Sequence, residues 1–186
     1  RKIRGAMPDI MRNNNKLLVM GGCCTQMIGI AAASRDLLGR VGVAYLDGHL
    51  DLYDGVTSPS GEAADVPLAT ILGHGDAGIL EAAGGASMVP GAVALMGYRD
   101  LDQAKGQGSL LPEDFAPDLR HWDGALVKRD PVAAGVEAAR GFESANLPFW
   151  LFMDMDVLDP KVFPATDAFV DDGLDWLQLE AVMRPL

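Results

Sequence analysis

Hydrophobic positions along this chain fall into short unbroken runs, and polar residues collect where the runs stop. Leu17-Leu18-Val19-Met20, Val41-Gly42-Val43-Ala44-Tyr45-Leu46, Ala92-Val93-Ala94-Leu95-Met96-Gly97 and Phe149-Trp150-Leu151-Phe152-Met153 are each too short for a typical helix and too evenly apolar for a half-solvated strand. They predict strands buried on both faces, as in a parallel sheet. Between them the pattern predicts helices over 26–38, 63–72, 76–83, a short one at 112–121, 132–144 behind Asp130-Pro131, and a last one from Leu174 to Arg184-Pro185. The polar opening 1–16, the turn-rich 52–60 and the glycine-rich 103–111 read as loops. Alternation of buried strands and helices predicts an α/β fold with a parallel sheet. No internal repeat, low-complexity tract or linker divides residues 1–186.

The polar ends of the runs carry the chemistry. Gly21-Gly22-Cys23-Cys24-Thr25 lies between a predicted strand and a helix, a turn that open α/β proteins place at the carboxyl edge of the sheet, where ligands bind. In Asp47-Gly48-His49-Leu50-Asp51, an extended backbone would set the two carboxylates and the imidazole on one face. The same alternation puts Asp154 and Asp156 on one side of their strand. Two carboxylates held that close repel each other, and both are tolerable ionised in a low-dielectric site only with a cation between them. His49 therefore reads as a metal ligand. His74, between glycines, reads as a surface residue, and His121, beside Trp122, as ordinary packing. For Arg99, Asp100 and Asp102, past the third run, an ion pair that fixes the loop and a role in the site both stay open. Together Cys24, Asp47, His49, Asp51, Asp154 and Asp156 offer enough ligands for two cations sharing carboxylates, the layout of a dinuclear hydrolase. Oxygen-rich coordination with imidazole suits Mn2+ better than Zn2+.

Composition narrows the partners. The chain has 186 residues, 49% of them hydrophobic, enough for one domain with a sizeable core. Its net charge of -11 argues against a nucleic-acid backbone, which is gripped by clustered Lys and Arg. It shows no signal peptide and no apolar run long enough for a bilayer, so a soluble cytoplasmic protein is expected. Its two cysteines are neighbours, Cys23 and Cys24, which points to reduced thiols rather than a disulfide framework.

At these motifs the sequence resembles the ureohydrolase family of arginase and agmatinase. The family's Asp-x-His-x-Asp pattern matches residues 47–51, and its Asp-x-Asp-x-x-Asp-Pro pattern matches Asp154-Met155-Asp156-Val157-Leu158-Asp159-Pro160. Gly97-Tyr98-Arg99-Asp100 looks like its Gly-x-Arg-Asp segment, and residues 21–25 lie where it has Gly-Gly-Asp-His-Ser. The resemblance implies a three-layer α/β/α fold and one arginase-like domain over 1–186, incomplete at both ends. It further implies two Mn2+ ions and a bridging hydroxide that attacks a guanidinium carbon, giving urea and an amine. Asp47 and Asp154 would bridge the ions, His49 and Asp156 would complete one site, and Asp51 would ligate the other and pass a proton to the leaving amine. A small guanidino substrate would meet Ser60, Glu62 and Asp102, and the chain would form a homo-oligomer, a trimer or hexamer.

Several residues depart from the family pattern. Cys24 stands where the family has its first metal-binding His and Cys23 where it has Asp, so the ion near Cys24 is expected to be weakly held or of a different metal. Glu62 and Ala64 stand where arginases have Asn and His. These departures leave two alternatives: a catalytically weak or inactive member that binds or oligomerises, and a hydrolase of the same fold acting on a formimino-type C–N bond.

Overall fold

The computed structural model describes residues 2–13 and 16–186. In chain order its first half runs through α1 (Lys2–Arg12), α2 (Gln26–Leu38), β1 (Gly42–Leu46), α3 (Pro67–Ile71), α4 (Ala77–Ala83) and β2 (Val93–Met96). The second half is α5 (Leu101–Gln107), β3 (Arg120–Trp122), α6 (Gly124–Arg129), α7 (Pro131–Ser144), β4 (Phe149–Met153) and α8 (Trp176–Met183). The four strands form one parallel sheet in the order β3-β2-β1-β4. Every residue of β1 and β2 is buried, because those strands lie inside the sheet and are covered on both faces.

Strand alternation sends successive side chains of β4 to opposite helical layers. Phe149 stacks on Phe142 of α7 with ring centroids 4.3 Å apart, while the Trp150 indole N–H donates to Ser34 Oγ of α2 at 2.8 Å. Helices α1 to α4 pack as one group and α6 to α8 as the other, which completes three layers, helix on sheet on helix. The register brings three strand ends level: Leu46 pairs with both Met96 and Met153, so β1, β2 and β4 end in step.

Local chemistry accounts for the helix ends. Asp130 accepts from Ala133 N and Pro131 opens α7, as a side-chain cap and a first-turn proline should. Asp175 and Gln178 exchange bonds in a capping box at the start of α8.

Six expectations are corrected. The run 17–20 is not a strand: Leu18 and Met20 are 82% and 86% exposed. Residues 17–20 join no strand, and Val19 and Gly21 line a cleft of about 370 Å³ together with Trp150, Leu151 and Phe152 of β4. For the same reason β4 is an edge strand, partly exposed at Leu151, rather than buried on both faces. The opening is a helix instead of a loop, held by Met7, which is buried, and by Ile3 packed against Gly29 of α2; Arg1, Asn14 and Asn15 lie outside the described residues. The glycine-rich 103–111 largely continues α5, and the helix expected at 112–121 is a single 3-10 turn (Pro112–Phe115) followed by β3. Residues 63–72 divide at Pro67 into a 3-10 turn (Ala63–Asp65) and α3. Helix α6, capped by Asp123, has no counterpart in the apolar pattern.

Candidate metal centre

The site forms where β1 and β4 run out. Beyond its last paired residue each strand continues the ladder by one bond: Asp47 N donates to Met96 O at 3.0 Å, and Asp154 N donates to Leu46 O at 2.8 Å. Neither strand then stays extended. After Asp47 the chain bends at Gly48, and after Asp154 it turns into a 3-10 turn (Met155–Val157). Short turns at the strand ends therefore gather the carboxylates, and the alternation along a strand that the sequence suggested does not.

Side-chain bonds to backbone fix those turns. Asp47 Oδ1 accepts from His49 N at 2.8 Å, and Asp154 Oδ1 accepts from Asp156 N at 3.1 Å. The two turns are also tied to each other, since Gly48 N donates to Asp156 Oδ1 at 2.9 Å. Gly48 is required there: a Cβ would lie 2.8 Å from Asp156 O and 2.9 Å from Arg99 Nη2. The outcome is a trio. His49 Nδ1 lies 2.9 Å from Asp156 Oδ2 and 3.6 Å from Asp47 Oδ1. Among the described residues, Asp47, His49 and Asp156 are the group whose ligand atoms all lie within 4.8 Å of one another.

Burial makes the trio electrostatically expensive without a counter-ion. Burial and the Asp51 charge push Asp47 well above the usual carboxylate range, against the pull of its hydrogen bond with His49. Burial alone would lower the His49 pKa, but its hydrogen bonds to Asp156 and Asp47 outweigh this and raise it to about 11. The cluster thus holds protons at neutral pH that a divalent cation would displace. Asp154 is raised by burial and by the Asp156 charge.

The other expected ligands sit nearby without joining the trio. Asp51 has φ +53, a left-handed conformation unusual for a residue with a side chain, and its Oδ2 accepts from the buried Tyr45 hydroxyl at 2.6 Å. Burial raises Asp51 to about 7 even though the Tyr45 bond and the His49 charge pull it down. Cys24 is buried, and its Sγ donates to Ala64 O at 3.1 Å. Burial, then the Asp51 and Asp47 charges, raise that thiol far above its ordinary pKa.

A cleft of about 260 Å³ opens beside the trio, lined by His49, Asp51, Tyr53, Ser60, Asp65 and Asp100 among others. Ser60 is held there by its bond to Asp65 Oδ2 at 2.8 Å. Glu62 and Asp102 are exposed and do not line the cleft. Sequence reasoning missed Tyr45 and Tyr53. Tyr53 donates to Asp100 Oδ2 at 3.2 Å, while Asp100 Oδ1, buried, has no hydrogen-bond partner among the described residues. Arg99 makes no ion pair with Asp100 or Asp102; its guanidinium bonds to the carbonyl oxygens of Gly97, Asp156, Val157, Val170 and Asp171.

Two buried carboxylates and an imidazole fit one hard divalent cation such as Mn2+. Cys24, Asp51 and Asp154 form no comparable second group among the described residues. Fold and donor set together define an α/β protein with an acidic, histidine-containing group at the carboxyl edge of its sheet that could hold a cation. Over residues 1–186 the chain matches the family model described as Arginase family, and it belongs to that family. It is 30% identical over 177 residues to the arginase of Brevibacillus brevis, a match covering 94% of this chain and 58% of that protein. The native structure of Bacillus caldovelox arginase superposes with a TM-score of 0.84 at 25% identity, over 99% of this chain and 60% of that one. The proclavaminate amidino hydrolase of Streptomyces clavuligerus shares the fold, with a TM-score of 0.69 at 21% identity over 98% of this chain and 55% of that one. The chain thus spans about three-fifths of the length of the relatives it matches. Among the described residues no helix is long and apolar enough to cross a membrane.

Proposed function

We infer that the chain carries the centre of a metal-dependent hydrolase that cleaves a linear guanidino compound to urea and an amine. The observation that carries this reading is the convergence of Asp47, His49 and Asp156 beside an open cleft, in a chain of the arginase family. Asp47, His49 and Asp156 would hold the ion. When bound, a divalent cation such as Mn2+ supplies Lewis acidity for the addition of water to the amidino carbon.

In the balanced reaction a water oxygen bonds to that carbon, the C–N bond to the substrate's alkyl chain breaks, and the departing nitrogen takes a proton to leave as the amine. Asp51 fits the task of holding and passing that proton, because its pKa of about 7 lies near neutrality and its carboxylate lines the cleft. Tyr45 orients Asp51 from below through the hydroxyl bond at 2.6 Å. Ser60, Tyr53 and Asp100, which line the cleft, would meet the rest of the substrate.

Urea release across a panel of guanidino compounds, measured on protein dialysed against Mn2+, tests the reading. Urea from at least one panel member, lost in an Asp156→Asn variant, is the expected result. A metal-loaded protein that releases no urea from any of them would overturn it.

A further inference from the structure

Of the six side chains that the sequence offered for two ions, Asp47, His49 and Asp156 converge, while Cys24, Asp51 and Asp154 form no comparable second group among the described residues. The Asp51 backbone at φ +53 delivers Oδ2 to the Tyr45 hydroxyl, and Asp154 Oδ1 caps the 155–157 turn through Asp156 N. The sulfur of Cys24 donates to a backbone carbonyl, Ala64 O, on the segment that comes after the Ser60 loop. That bond requires the thiol hydrogen, so ligation would mean giving it up, in exchange for contact between a soft sulfur and a hard ion. A neutral imidazole at this position would offer a lone pair without first giving up a proton.

We propose that the centre of this chain is mononuclear: one divalent cation on Asp47, His49 and Asp156, with Cys24 outside the coordination sphere as a hydrogen-bonded thiol that fastens the 64 segment to the start of α2. The proposal rests on the cation-site reading, but not on catalysis. The family relationship implies a pair of ions; the donor set of this chain supports one.

Equilibrium dialysis of the full chain against Mn2+, with elemental analysis of the product, gives the stoichiometry directly. One equivalent is expected, with the electron paramagnetic resonance spectrum of an isolated Mn2+ rather than that of a spin-coupled pair. Two tightly held equivalents, or a coupled spectrum, would overturn the proposal. Cobalt loading adds an independent readout, made in a Cys23→Ser background so that the exposed neighbour contributes nothing. Absence of a sulfur-to-cobalt charge-transfer band is expected, and a band that disappears in Cys24→Ser would overturn the proposal. Cys24→Ser should leave Mn2+ affinity within about 3-fold, whereas loss of a true ligand or its direct support costs about 10-fold or more. Cys24→His should raise the stoichiometry toward two. The hydrolase reading is tested separately: one bound Mn2+ without urea release would sink that reading and leave this proposal standing, and two bound ions with urea release would do the reverse.

Discussion

Arg99 Nη2 donates to the backbone carbonyl of Asp156 at 2.7 Å, and Arg99 N donates to Gly48 O at 2.9 Å, so one residue on the loop after β2 grips both turns that carry the trio. Nη2 also donates to Val170 O, and the other two guanidinium nitrogens donate to the carbonyls of Gly97, Val157 and Asp171. Its charge is spent on backbone dipoles, and burial lowers its pKa. Arg99→Ala should cost about 3 kcal/mol of stability, since several buried carbonyls lose their donor at once. Where the variant folds, Mn2+ affinity should fall about 10-fold or more. Arg99→Lys, with a point charge in place of a fork, should recover only part of both. Chemical denaturation and metal titration check the two effects separately.

Protonation sets a second expectation. His49 is raised from 6.5 to about 11, so its stabilising contribution is fully present below 6.5 and is lost as pH rises through about 11. Asp51 is raised from 3.8 to about 7, so its protonated form also favours the folded state, and that contribution is lost as pH rises through about 7. Both signs agree: above about pH 4 the metal-free protein should lose stability as pH increases. A bound cation takes the place of the displaced protons, so Mn2+ should raise Tm most at alkaline pH. Calorimetry with and without Mn2+ across that range gives the answer, and a metal-free Tm that climbs with pH would contradict it.

Tyr45→Phe removes one hydroxyl and leaves the ring, which stacks on Phe152 with centroids 4.3 Å apart. The bond it deletes lowers the Asp51 pKa, so the carboxyl should titrate at higher pH in the variant, and the acid limb of any activity profile should move the same way. Stability should fall by about 1–3 kcal/mol, the usual cost of leaving a buried acceptor unpaired.

Gly48→Ala places a methyl 2.8 Å from Asp156 O, between the two turns. The backbone φ is not the obstacle, so the variant should fold with β1 and β4 paired, while the turns are forced apart. Mn2+ affinity should drop by about 10-fold or more with a much smaller change in Tm, and equal losses in both would show that Gly48 serves the fold rather than the centre.

Much of this was legible in the runs of apolar residues. β1, β2 and β4 begin within a residue or two of where the pattern put them, because strands covered by helices demand continuous apolarity. β3 is Arg-His-Trp, with no apolar run at all; the open edge of β2, rather than its own composition, makes it a strand. The run at 17–20 is the converse, apolar enough for a strand yet unpaired, with Leu18 and Met20 exposed across a cleft from the open edge of β4. α1 was unreadable because Gly5 and Pro8 interrupt it, and packing on α2 decides the matter. Within the site, residue types picked out Asp47, His49 and Asp156, which the structure brings together, but their grouping depended on φ at Asp51 and on the 155–157 turn, neither of which an alternation rule can see.

The pairing of Leu46 with Met96 and Met153 reaches beyond architecture. Sliding β4 by one residue would move Asp156 about 3.3 Å along the sheet and turn each β4 side chain to the opposite layer, while the helices could still cover an apolar surface. A chain misassembled in that way would be compact and helical, yet indifferent to manganese. On the proposed cation reading, affinity for the ion becomes a gauge of strand register, and a population that binds less than its share of metal would reveal misthreaded molecules that circular dichroism counts as native.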